Sequence, residues 1–260
     1  MLSVQAPLRP GQERPDSFRP VKSAARTLDV LEALAAGPCS FGELARTLRI
    51  PKSSLHGILG TMRDRGWVEQ PAEGLVRLGL HALQVGTAYL DADEAVARTA
   101  ALLDRLAATT GETVQLARLD GQSVVYLAKR ESTHPVRLIS TIGGRLPAHA
   151  TALGKALLAQ RDPSDVRRSL TFPLEALTSR TITDWKRLRA ALQRTREQGY
   201  AVDREEAAEG LCCFAVAPAL PSLDAISVSV PTFRLSPAHE RTVLTALRQA
   251  RDAWVPRRSP

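Results

Sequence analysis

Two amphipathic helical patterns separated by only Arg49 and Ile50 constrain this chain more than any other feature. The upstream pattern opens with Ser40-Phe41-Gly42-Glu43, the spacing of a capping box. It places Phe41, Leu44, Ala45 and Leu48 on one face at helical spacing. The downstream pattern starts at Pro51, a residue favoured in a first helical turn, and repeats the spacing with Leu55, Ile58, Leu59 and Met62. A third pattern precedes both, from about Val21 to Ala36, with Leu28, Leu31 and Leu34 on one side and Gly37-Pro38 as its stop. After Gly66, the short apolar segments 67–69 and 75–78 flank a turn-rich stretch, which predicts a β-hairpin. Three helices, a tight turn between the last two, and a hairpin make a winged helix-turn-helix.

The outer face of the third helix tells what that unit does. Burying its apolar stripe leaves Lys52, Ser53, Ser54, His56, Gly57 and Thr61 outside, with Arg63 further along. These residues are small or form hydrogen bonds, which suits close approach to a groove in double-stranded DNA. An ordinary surface helix would carry more Glu and Lys. Net charge adds little: the total of +8 divides into +3 over residues 1–90 and +5 over the rest.

Beyond residue 79 the pattern changes. Residues 80–91 predict an amphipathic bridging helix, with Leu80, Leu83, Val85 and Tyr89 as an interface face, and a further helix runs from Asp93 to Thr110. Two strand-like runs, 113–119 and 123–129, flank Asp120-Gly121-Gln122, a strong hairpin signal. Strands are expected at 136–142, 200–202, 211–216 and 225–230, and helices within 146–159, at 183–198 and after Ser236. Strands with helices before and after make an α+β domain. The expected division is a disordered tail at 1–20, a DNA-binding domain at 21–79, the linker helix at 80–91 and a second domain at 92–256. No apolar run of signal-peptide or bilayer-spanning length is present, so a cytoplasmic protein without membrane contact is expected.

Catalytic and metal chemistries find no support. Gly154-Lys155 lacks the rest of a phosphate loop, since His149 and Ala156 stand where Gly and Ser or Thr are required. His149, Asp203 and Cys213 match no thiol-catalysis order, and with Cys212 they lack metal-ligand spacing. The three cysteines form no disulfide framework. No cofactor is expected. One polar constellation remains: Asp203 precedes a strand containing Cys213, and Ser227 and Ser229 share one face of a later strand. The serines either bond neighbouring backbone or form a small polar pocket in an apolar wall.

The blocks SAARTLDVLEALA, FGELARTLRIPKSSLHGILGTMRDRGWVEQ, GGRLPAHATALGKALLA, EQGYAVDREEAAEGLCCFAVAP and AISVSVP, in this order, resemble the IclR family of bacterial transcriptional regulators from about Val21 to Trp254. The resemblance implies a two-domain α+β chain: a winged helix-turn-helix, a bridging helix, and a GAF-like α/β effector-binding domain built on an antiparallel sheet. It implies self-association as dimers or dimers of dimers, operator binding, more often repression than activation, and control by a small organic-acid or aromatic effector. It implies an effector acid group on the amides of Ala152 and Leu153, other polar contacts at Asp203, Cys213, Ser227 and Ser229, and an apolar wall of Leu138, Leu146 and Leu211. An enzyme-like small-molecule domain fused to a DNA-binding module is the alternative. Two positions depart from the family's usual pattern. Gly57 stands where an Arg is usual, so operator affinity is lower or Lys52, Arg63 or the tail substitutes. Val230 stands where a Gly is usual, at the pocket floor.

Overall fold

The computed structural model describes residues 20–71, 74–135, 140–219 and 221–254. They form two compact units that divide between Asp93 and Glu94. The tail expected at 1–20 lies, apart from Pro20, outside the described residues.

The first unit contains α1 (Lys22–Ala35), β1 (Cys39–Ser40), α2 (Phe41–Thr47), α3 (Lys52–Asp64), β2 (Val68–Glu69), β3 (Leu75–Leu78) and α4 (Leu80–Asp91). The capping box forms: Ser40 Oγ accepts the Glu43 N–H at 3.3 Å, and the Glu43 carboxylate accepts the Ser40 N–H at 2.9 Å. Ser40 has a second duty, because β1 pairs with β3 and adds a third strand to the expected hairpin. The turn into α3 passes through Arg49 in the left-handed region, with φ of +52°. Pro51 sits just before α3 rather than inside its first turn.

Leu44, Ile50, Leu55, Leu59 and Met62 meet Val30 and Leu34 of α1 in one core. The buried face of α1 is thus Val30 and Leu34, whereas Leu28 is exposed. Leu28 is two residues, about 200°, round the helix from Val30, so it cannot share that face. Trp67 O accepts the Gly79 N–H at 2.8 Å and fastens the wing to the start of α4. A Cβ at Gly79 would lie 2.2 Å from Gly66 O, which requires glycine there. No side chain of α4 is buried, and Leu80, Leu83, Val85 and Tyr89 are exposed.

The second unit runs α5 (Glu94–Thr110), β4 (Thr113–Asp120), β5 (Ser123–Arg130), β6 (Arg145–Pro147), α6 (Ala152–Leu158), α7 (Pro163–Ser169), α8 (Trp185–Gln198), β7 (Ala201–Arg204), β8 (Leu211–Val216), β9 (Asp224–Pro231) and α9 (Pro237–Ala253). Its strands form one antiparallel sheet in the order β6-β5-β4-β9-β8-β7. Leu153, Leu157 and Leu158 of α6 share a core with Leu188 and Leu192 of α8 and with Ala117, Cys213, Ala215 and Ala225 of the sheet. Strand alternation leaves Ile226, Val228 and Val230 for the opposite face, where α5 and α9 pack. This is the GAF-like architecture expected.

The strand expected at 136–142 falls largely outside the described residues, at 136–139, and Ser140–Ile142 carry no strand. Gly143 turns the chain at φ of +82°, and pairing with β5 resumes only at Arg145. The helix α7 was not anticipated. It is capped by Asp162, which accepts the Ser164 N–H, and opens with Pro163.

Candidate functional site

On α3 the residues opposite the core are Lys52, Ser53, His56, Gly57, Thr61 and Arg63, all exposed, with Ser54 half-buried. The Thr61 hydroxyl donates to Gly57 O at 3.0 Å and is committed to the helix itself. Among the described residues, no hydrogen bond or ion pair involves the side chains of Lys52, Ser53, Ser54, His56 or Arg63, so they are free to meet a partner. A Cβ at Gly57 would find nothing within 4 Å. The space beside it continues into an open groove between α1 and α3, of about 630 Å³, whose lining includes Lys22, Arg26, Ser54 and Thr61. Lys22 and Arg26 bring two cations to this face from α1.

The second unit holds a cavity of about 310 Å³ between the sheet and the start of α6. Leu146, Ala152, Leu153, Asp203, Leu211, Cys213, Ser227 and Ser229 all line it. Leu138 lies outside the described residues. Strand register explains how residues so far apart in sequence meet. Asp203 pairs with Cys213 across β7 and β8, and Cys213 pairs with Ser229 across β8 and β9. Residues opposite one another in antiparallel strands project from the same face. The three polar side chains therefore form one row beneath α6.

Among the described residues neither serine hydroxyl bonds backbone; both donate to the side chain of Gln115, at 3.2 Å from Ser227 and 3.0 Å from Ser229. The Cys213 thiol lies 3.2 Å from Ser229 Oγ and donates to it. Burial pushes that thiol's pKa well above the ordinary value, so it stays protonated. Asp203 is 2 % exposed, and its Oδ1 accepts the N–H groups of Glu206 at 2.6 Å and Ala207 at 3.3 Å. Burial raises its pKa to about 7; Lys155 and these amides act in the opposite direction. Lys155 is itself buried and ion-pairs with Glu206.

At the other end, Thr151 Oγ1 caps α6 by accepting the Gly154 N–H at 3.0 Å, and the N–H groups of Ala152 and Leu153 head the first turn. Gly154 allows this close seat: a Cβ there would lie 2.1 Å from Ala148 O. Gln115 and Tyr126 also line the cavity. The sequence does carry a sign of Gln115, a lone amide among the apolar residues of β4, and its position opposite Ser227 shows what it serves.

A model of the bacterial transcriptional regulator IclR C-terminal domain matches residues 87–254, and an IclR helix-turn-helix domain model matches residues 23–72. The chain belongs to the IclR family. Its relatives include the HTH-type transcriptional regulator BhcR of Paracoccus denitrificans, 34% identical over 92% of this chain and 89% of that protein. They also include the transcriptional repressor IclR of Escherichia coli, 36% identical over 83% and 82%. Among solved structures, an IclR homolog from Microbacterium hydrocarbonoxydans complexed with 4-hydroxybenzoate superposes with a TM-score of 0.75, at 26% identity over 88% of this chain and 96% of that one. The chain is thus a helix-turn-helix transcriptional regulator rather than an enzyme. Among the described residues, no helix is long and apolar enough to cross a membrane.

Proposed function

We propose that this IclR-family regulator reads operator DNA with α3, and that a small organic-acid or aromatic effector in the 310 Å³ cavity controls that binding. The cross-strand row of Asp203, Cys213 and Ser229, facing the apolar Leu146 and Leu211, carries the effector part of the proposal. A few placed polar groups in an apolar cavity are the usual makeup of a small-molecule site. The effector's acid sits on the Ala152 and Leu153 amides and its other polar atoms meet the row. The homolog that holds 4-hydroxybenzoate supports an effector of this size. The repressor among the relatives favours repression. On the DNA side, Ser53, Ser54 and His56 approach base edges, and Lys52, Arg63, Lys22 and Arg26 meet phosphates. The exposed apolar residues of α4 serve self-association, which sets the half-site spacing near one helical turn or a multiple of it.

A screen of small acids by thermal shift, followed by calorimetry and operator mobility shifts, tests this. Ser229→Ala weakens a confirmed effector about tenfold to a hundredfold, the cost of one lost buried hydrogen bond, and leaves unliganded operator affinity unchanged. Lys52→Ala weakens all DNA sites alike and lowers the salt slope by about one. An effector that binds Ser229→Ala and Cys213→Leu as tightly as the parent places the site elsewhere.

A further inference from the structure

The polar wall of the cavity is held by an uncharged residue that is itself part of the lining. Gln115 is 1 % exposed and sits in register between Lys129 of β5 and Ser227 of β9. Its Nε2 donates to Ser140 Oγ at 2.9 Å, and its Oε1 accepts both serine hydroxyls. A serine hydroxyl has one proton and two lone pairs. Both protons are therefore committed to Gln115. The Cys213 thiol uses one lone pair of Ser229. Toward the cavity the serines have only acceptor capacity left: two lone pairs on Ser227 and one on Ser229. Asp203 adds Oδ2, an acceptor when ionised, since Oδ1 is occupied by backbone. The other donors in the lining are the first amides of α6, the hydroxyls of Ser140 and Thr141, and Arg145, which is held to Asp120 at 2.8 Å. Tyr126 contributes a rotatable hydroxyl that serves either polarity.

We infer that Gln115 is a positioning residue that fixes Ser227 and Ser229 as acceptors, so that the cavity selects ligands presenting a hydrogen-bond donor, a hydroxyl or an amino group, toward β9. The inference rests on the cavity being the effector site. Without the Gln115 carbonyl the two hydroxyls rotate freely and donate as readily as they accept, and the selection disappears. Packing alone gives no such polarity, so the sign of the preference separates this role from a structural one.

The test is calorimetry of the full chain with 3- and 4-aminobenzoate, which present donors, against 3- and 4-nitrobenzoate, which share the ring and acid but present only acceptors. The parent chain binds the better amino isomer about tenfold to a hundredfold more tightly than its nitro counterpart. Gln115→Met, of similar length but without polar atoms, reduces that preference to within about threefold or inverts it. Ser227→Ala, which removes two of the three free lone pairs, lowers the preference as well and guards against a Gln115 variant that does not fold. A folded Gln115→Met that keeps the parent preference overturns the inference. So does a parent chain that prefers the nitro compounds, because the amide would then turn Nε2 to the serines, and so does failure of both classes to bind. Amino compounds that bind with the expected preference but leave operator affinity unchanged support the role of Gln115 and instead overturn effector control.

Discussion

The Asp203 carboxylate accepts the backbone N–H of Glu206 at 2.6 Å, so the acid that faces the cavity also holds the loop whose Ala207 and Ala208 line it. Burial sets the ionisation of this group, raising its pKa from the ordinary 3.8 to about 7. Between those values the folded chain keeps a proton that the unfolded chain has released. The stability from this group is complete below the ordinary value and is lost as pH rises toward 7, by up to about 4 kcal/mol in total. Asp203→Asn, which cannot ionise, gains stability relative to the parent as pH rises from about 5 to about 7.5. Thermal melts of both proteins across that range measure the gap. A gap that stays constant means Asp203 is ionised throughout.

Gly154 and Gly57 make a matched pair of helix-interior glycines with opposite surroundings. A Cβ at Gly154 lies 2.1 Å from Ala148 O and 2.3 Å from Ala148 Cα, both rigid backbone. Gly154→Ala therefore forces the 148–150 turn away from α6, costs about 1–3 kcal/mol and disturbs the first amides of the helix. Gly57→Ala meets nothing and gains up to about 1 kcal/mol of helix propensity. Urea unfolding of the two variants decides it: equal stability changes contradict the close approach at Gly154.

The first unit was legible because its signals are local. A capping box, an apolar stripe at helical spacing and a turn of a few residues name a winged helix-turn-helix without knowledge of distant contacts. Leu28 shows the limit of that method. Periodicity groups apolar residues on a face, yet only the packing of α1 against its neighbours decides that Val30 and Leu34 point inward. The cavity was legible in part. Ser227 and Ser229 declare a shared face through strand alternation, but their partner Gln115 is more than a hundred residues away, and only the β4–β9 register brings it opposite. Asp203 and Cys213 stand out as polar residues around one strand, but their role in the pocket is implied only by the family resemblance, and the cross-strand row gives them their physical connection. The strand expected at 136–142 lies mostly outside the described residues, and Ser140–Ile142, just before the turn at Gly143, carry none.

Glu112 and Arg234 join the start of β4 to the turn after β9 through a two-pronged contact, at 3.0 Å and 2.6 Å. Glu112 is 1 % exposed, and that guanidinium is its bidentate partner. His239 approaches the same carboxylate at 3.3 Å but supplies charge only when protonated. Arg234→Met costs about 3–5 kcal/mol by leaving a buried carboxylate uncompensated. Adding Glu112→Gln restores part of the loss, because the buried charge is then gone. Denaturant midpoints of the single and double variants measure this, and a double variant no more stable than the single one contradicts it.

Gly57 bears on DNA directly. It lies on the exposed face of α3, next to the groove lined by Lys22 and Arg26, with room for any side chain. Gly57→Arg therefore adds a cation where a duplex backbone would pass and lowers the helix-propensity cost of glycine at the same time. The expected outcome is tighter operator binding at low salt and a plot of log affinity against log salt that steepens by about 0.9, the share of one further phosphate contact. The melting temperature stays level or rises. Mobility-shift titrations at several salt concentrations measure the slope. Tighter binding with an unchanged slope would place the new guanidinium on a base edge rather than a phosphate. Neither change would mean that this face of α3 is turned from the DNA, and the recognition role would then have to move to another element.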